Sequence, residues 1–190
     1  MRKTILAVDP GAERLGYAAL WLEESAVGSA GSGIIGLKRG SEEEYQTYRL
    51  RLISKFEQEA TLLINAFQPE LVVNETIPPV GGNAANQIQR QLALTALTAF
   101  QTVAVQHGLE LKQVAASTVK AKIGGNRKAG KVAVRNGVFK IMPSTQIFKK
   151  QWVGVFDESD AFAVGLTHLG FNVKDGQVTD KAAPAAQDSA

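Results

Sequence analysis

At 190 residues and 45% hydrophobic, the chain can bury one sizeable core, and its 21% charged residues fit a soluble globular protein. It has no cysteine, which excludes a disulfide framework and a thiolate metal site and fits a reducing, cytoplasmic compartment. Only five uncharged residues separate Met1-Arg2-Lys3 from Asp9, too few for a secretory core, and no apolar stretch approaches a membrane span.

The first element is Ile5-Leu6-Ala7-Val8, an uninterrupted apolar run that reads as a strand buried on both faces. It ends on Asp9, and Pro10-Gly11 forces a turn. An acid there caps a turn as readily as it serves a site. Residues 15–22 form the return strand of a hairpin, in which Gly16 lets another backbone come close. Residues 31–37 make a third strand after a Gly/Ser-rich turn. Ser41 and Glu44 have the spacing of a capping box. The amphipathic helix it would open carries Tyr45, Tyr48, Leu52, Phe56, Ala60, Leu63 and Phe67 on one face and ends before Pro69.

Leu71-Val72-Val73-Asn74-Glu75 repeats the first design, a buried strand that ends on an acid. A loop follows, with Asn83 or Asn86 as the cap of a second long helix. One face carries Ile88, Leu92, Ala96, Ala99 and Val103; Leu94, Leu97 and Phe100 make the other face apolar too. A helix apolar on two sides wants two partners, which points to a subunit interface. Residues 109–114 form a fifth strand, and Ser117 caps a short helix over 119–123. After Gly124-Gly125 a basic helix spans 128–141, with Val132, Val134, Val138 and Ile141 inside. Asp157-Glu158-Ser159-Asp160 opens the last helix, whose Ala161, Ala163 and Gly165 permit close packing; Gly170 ends it. Glu158 is expected to face solvent and His168 to complement the helix dipole. Tyr17, Trp21 and Trp152 read as core residues. The chain then divides into a folded unit, 1–171, and a disordered tail, 172–190.

The net charge of +3 hides an asymmetry: residues 111–156 carry ten basic residues and no acid, leaving 11 basic against 18 acidic elsewhere. Ten like charges repel unless an anion sits among them, and a polyanion is the natural candidate. Lys120, Lys122, Arg127, Lys128, Lys131 and Arg135 are the expected nucleic-acid contacts. Four acids, Asp9, Glu75, Asp157 and Asp160, stand at the ends of elements. If clustered they would repel unless a cation joined them, and oxygen-only ligation suits Mg²⁺ or Mn²⁺. Two such ions about 3.5–4 Å apart can clamp the oxygens of a phosphoryl displacement. Spacing along the chain does not place Asp9 beside Asp160.

A resemblance supplies that link. Asp9-Pro10-Gly11 with Leu15-Gly16-Tyr17, Val73-Asn74-Glu75, Asn83-Ala84-Ala85, Val119-Lys120, Gly125, Lys131 and Asp157-Glu158-Ser159-Asp160-Ala161 with Leu166-Thr167-His168 resemble, in order, the motifs of the RuvC family of Holliday junction resolvases. Lys120 and Lys131 match its basic segment by register as well as by charge. The resemblance implies an α/β, RNase H-like fold, a five-stranded mixed sheet flanked by helices. It implies that Asp9, Glu75, Asp157 and Asp160 are catalytic residues and metal ligands for two Mg²⁺ ions, with Mn²⁺ able to substitute. It implies a homodimer that cuts symmetric strands of a four-way junction and leaves 5′-phosphates, with no nucleotide cofactor and no membrane partner. Some members carry His where Asp157 stands. Many carry an aromatic wedge three residues after the second acid, where this chain has Pro78 followed by Pro79. Such departures resemble phage-encoded or divergent relatives. A broader branched-DNA or flap nuclease and a non-catalytic branched-DNA binder remain as alternatives. An actin-like ATPase would need a second domain for which 190 residues leave no room.

Overall fold

The computed structural model of the chain describes residues 2–24, 26–77, 84–143 and 156–179. Elements run β1 (Lys3–Pro10), β2 (Arg14–Glu23), β3 (Ala26–Gly36), α1 (Tyr45–Phe67), β4 (Leu71–Glu75), α2 (Ala84–Gln106), β5 (Glu110–Val114), α3 (Ala116–Lys122), α4 (Lys131–Ile141), α5 (Asp157–His168), β6 (Asn172–Lys174) and β7 (Gln177–Thr179). The main sheet has the order β3-β2-β1-β4-β5. β1, β2 and β3 form an antiparallel meander, whereas β4 runs parallel to β1 and β5 parallel to β4.

β1 is central, and its alternation explains its continuous apolar run. Leu6 and Val8 face a core shared with α1 and α2, while Ile5 and Ala7 face a second core beneath α3, α4 and α5. Val72 and Val73 of β4 divide between the two cores in the same way. The result is a mixed sheet covered on both faces by helices. Among the described residues no helix is long and apolar enough to cross a membrane.

Several boundaries differ from the expected ones. The capping box does not form: Glu44 is the N-cap of α1 and makes no side-chain cap bond. Glu43 instead accepts the Gly40 N–H at 3.0 Å and the Arg51 guanidinium at 2.7 and 2.9 Å, which ties the segment before α1 to the helix. α3 begins after Ala115 with Ser117 already inside it, and α4 begins at Lys131 rather than at 128. Asn126 Oδ1 accepts the Lys128 N–H, which holds those residues in a turn. Val132 is 53% exposed, so only Val134 and Val138 of the expected stripe are buried. Asn86 lies within α2, and Asn83 falls outside the described residues.

On α2, Leu97 and Phe100 are buried in the chain's own core, and the outward apolar residues are Ile88, Leu94 and Val105. The expected disordered tail does not begin at Asn172, because β6 and β7 pair as a hairpin and Val173 is buried against the body. Residues 180–190 lie outside the described residues.

Candidate metal and nucleic-acid site

The parallel register of β1 and β4 pairs Val8 with Asn74, so Asp9 and Glu75 follow side by side at the C-terminal ends of adjacent strands. Asn74 is fully buried and fixes the end of β4: its Oδ1 accepts from Gln101 of α2 at 2.9 Å, and its Nδ2 donates to the Glu75 carbonyl. On the other flank Asp9 pairs with Gly16 of β2. A Cβ at Gly16 would stand 1.9 Å from the Asp157 carbonyl oxygen. The missing side chain therefore lets the first turn of α5 sit against the sheet and delivers Asp157 and Asp160 to Asp9. About two turns of helix later the same device recurs, since a Cβ on Gly165 would come within 2.5 Å of Leu20 and 3.0 Å of Ala7. Small residues seat α5 on β1 and β2, as the sequence pattern implies.

The electrostatics report the same convergence. Burial first, then the charges of Asp160, Glu75 and Asp157, hold the Asp9 carboxyl well above its ordinary range against the opposing charge of Lys131. Glu75 is raised by burial and by Asp160, with Lys120 and Lys131 opposing. Asp160 is raised chiefly by burial; a hydrogen bond and the charge of Lys131 work against that, and Asp157 adds to it.

Lys131 and Arg14 supply the counter-charge. Lys131 Nζ lies 2.9 Å from Asp160, and Arg14 Nε lies 3.1 Å from Asp157 Oδ2. Burial disfavours the Lys131 ammonium, yet the bond to Asp160 and the charges of Asp160, Asp9 and Asp157 raise its pKa. As the side chains stand, no three Asp, Glu or His residues among those described form a ready-made metal site. The donor set nevertheless fits a divalent ion. It is all oxygen, neighbouring carboxylates help to raise the pKa of Asp9, Glu75 and Asp160, and Asp157 Oδ2 is buried without a hydrogen bond despite the nearby guanidinium.

The expected nucleic-acid contacts sort by position. Lys120 and Lys131 border the acids, and their fields act on Glu75 and Asp160. Arg127 and Lys128 are exposed in the turn before α4, whereas Lys122 and Arg135 are half-buried. Arg135 and Lys131 both stand over the ring of Phe156, at 5.5 and 5.8 Å from its centroid. On the opposite flank a cleft of about 730 Å³ opens beside Asp157, lined by Arg14, Lys38 and Gln89.

The surroundings of Glu158, His168 and the two aromatic residues differ in part from expectation. Glu158 is half-buried and accepts a hydrogen bond from the Ser32 hydroxyl of β3, so it faces the sheet edge rather than solvent. His168 is half-buried in the last turn of α5, where burial and then Lys112 lower its pKa and so disfavour the charge it would offer the helix end. Tyr17 is half-buried and packs against the first core and Phe67, whereas Trp21 is half-buried beneath Arg2 rather than in a core. Pro78, Pro79 and Trp152 lie outside the described residues. Counting charge only within 111–156 missed Arg14, although an antiparallel hairpin returns that residue toward the strand-end acid.

The family model described as crossover junction endodeoxyribonuclease RuvC matches residues 5–168. The chain belongs to the RuvC family. It is 30% identical over 165 residues to a crossover junction endodeoxyribonuclease RuvC of Haemophilus influenzae (strain PittEE), covering 86% of this chain and 77% of that protein. The RuvC fold is also that of Thermus thermophilus RuvC in complex with a Holliday junction substrate, with a TM-score of 0.65 at 20% identity over 87% of this chain and 92% of that one. The yeast mitochondrial Holliday junction resolvase Ydc2 gives a TM-score of 0.63 at 13% identity, covering 87% and 75%. The five-stranded mixed sheet with its helices is thus the RNase H-like fold of these resolvases.

Proposed function

We propose that the protein is a metal-dependent endonuclease that resolves four-way DNA junctions as a homodimer, by paired symmetric nicks that leave 5′-phosphates. The observation that carries this reading is the convergence of Asp9, Glu75, Asp157 and Asp160 from three elements beside the basic α3–α4 segment, in a chain of the RuvC family. Those four carboxylates would hold one or two Mg²⁺ ions, or Mn²⁺ in their place. Such ions supply an activated water and neutralise charge on the leaving oxygen. The chain's own residues do the rest. Gln101 and Asn74 fix the strand end that bears Glu75, Gly16 admits α5, and the cations of α3–α4 bind the phosphate backbone. The lack of cysteine accords with work in a reducing cytoplasm.

A panel of end-labelled four-way, flap and linear DNA, incubated with and without Mg²⁺, tests the reading. The expected result is Mg²⁺-dependent cutting of the four-way DNA at symmetry-related positions of two strands. Equal cutting of flaps would favour the broader branch nuclease, and binding without cutting in Mg²⁺ or Mn²⁺ would favour the binder.

The groove between α1 and α2, about 470 Å³ and lined by Ile53, Leu94 and Ala99 among others, supports the dimer reading as a face that a second copy would cover. Exposed Leu50, Leu62, Ile88 and Val105 extend the apolar surface of these two helices. Leu94→Asp should give folded monomers in sedimentation that nick but do not resolve. Leu97, 5% exposed, is unsuited to this test because a charge there would unfold the core. Wild-type protein that stays monomeric at micromolar concentration would exclude the paired cut.

A further inference from the structure

The two cations that hold the acid cluster arrive from opposite sides. Arg14 opens β2 and Lys131 is the first residue of α4. Their side chains are 52% and 58% exposed, against 19% and 14% for their partners Asp157 and Asp160. A cation at the first position of a helix opposes the helix dipole, and α4 has no acid in its first turn to offset it. Lys131 is therefore not placed there for the sake of its own helix. Its charge acts on the acids, which it meets through a long, largely solvent-exposed stem. Arg14 meets Asp157 imperfectly, leaving a buried Oδ2 without a hydrogen bond.

A divalent cation that takes Asp157 Oδ2 and Asp160 Oδ2 competes with both side chains for those oxygens. Both have somewhere else to go. Arg14 borders the cleft with Lys38 and Gln89, and Lys131 stands among the cations of α3 and α4. Resting on the metal-site reading above, we propose that Arg14 and Lys131 are exchangeable counter-ions. They occupy Asp157 and Asp160 in the metal-free protein, give up those carboxylates when a divalent cation binds, and then bind DNA phosphates on either side of the cluster. Metal and DNA are then positively coupled, and the coupling is reciprocal: each raises the affinity of the other. The device keeps a cluster of acids neutralised in the absence of metal and reserves part of the DNA grip for the loaded site.

Salt dependence of binding tests the exchange. Full-length protein is titrated onto a labelled four-way DNA over a range of KCl, in chelator and in saturating Ca²⁺, a hard oxygen-seeking probe, with the DNA checked on gels to be uncut. The log–log slope of the wild type should steepen in Ca²⁺ by roughly two units, close to 0.9 for each phosphate newly neutralised. Lys131→Gln and Arg14→Gln should each steepen by about one unit and the double variant not at all, while all four proteins share one slope in chelator. Arg127→Gln, exposed under both conditions, should flatten the slope by about one unit with or without Ca²⁺. In calorimetry without DNA, Lys131→Gln should bind Ca²⁺ roughly two- to fivefold more tightly, the worth of one exposed ion pair.

Slopes that fall equally in chelator and in Ca²⁺ when Lys131 and Arg14 are replaced would overturn the exchange. So would an unchanged wild-type slope while calorimetry shows Ca²⁺ bound, and in that case the carboxylate site stands. A wild type that binds no Ca²⁺ at millimolar concentration would overturn the exchange and the carboxylate site together.

Discussion

Asp9→Asn is expected to abolish nearly all Mg²⁺-dependent cleavage while binding four-way DNA in chelator at least as tightly as the wild type. The substitution keeps the size of the side chain, removes its charge and leaves a poor ligand for a hard cation. Asp9 sits where β1, β4 and α5 meet, so every proposed metal position includes it. Losing about 4 kcal/mol of metal stabilisation corresponds to a rate loss on the order of a thousandfold. The pH dependence of stability gives an independent check. Burial and three neighbouring carboxylates raise the Asp9 pKa, so its charged form disfavours the folded state. That penalty is absent below the ordinary carboxylate range and grows as pH rises through the elevated value. In chelator, Asp9→Asn should therefore melt at a higher temperature than wild type at neutral pH, with the difference vanishing in acid. Cleavage by the variant at the wild-type rate would remove Asp9 from the site.

The second large effect belongs to a residue with no side chain. Gly16→Ala puts a methyl 1.9 Å from the Asp157 carbonyl oxygen, a backbone atom that cannot rotate aside. The N-terminus of α5 must shift, carrying Asp157 and Asp160 away from Asp9. A misplacement of about 1 Å typically costs on the order of a hundredfold in rate, and the overpacking itself costs about 1–3 kcal/mol of stability. Gly36→Ala, on the neighbouring strand with nothing nearer than 3.7 Å, is the matched control and should leave melting and cleavage close to wild type. If Gly16→Ala cuts as fast as Gly36→Ala, α5 is not held at the sheet in the way described.

The contrast between these residues shows how far sequence alone reaches. Asp9 and Glu75 are legible because period and punctuation state their positions: an apolar run, an acid, then a turn. Gly16 is legible as a close approach, but which backbone approaches is a tertiary fact that only α5 supplies. The capping box is absent because α1 begins only at Tyr45, with Glu44 as its cap, while Arg51 from within the helix holds Glu43, a pairing that local spacing does not encode. Leu97 and Phe100 read as an outer face because single-helix periodicity does not know that the sheet and α1 both wrap α2; the core takes a wider arc than one stripe. The hairpin beyond Gly170 was hidden by its length. Two strands of three residues carry too few apolar positions for periodicity to register, and only the burial of Val173 against the body marks them. Arg14 was hidden by the charge count itself, which drew the basic surface to one segment although the hairpin turn brings a cation to the acids from the other side.

The proposed role of Asp9, Glu75, Asp157 and Asp160 is to hold a divalent metal jointly. It is tested most directly by crystals of the protein soaked in Mn²⁺ and measured at the manganese edge. The expected result is an anomalous peak among these four side chains, with carboxylate oxygens moved to coordination distance and Lys131 displaced from Asp160. A fully soaked crystal with no peak there, and Lys131 still bound to Asp160, would contradict it.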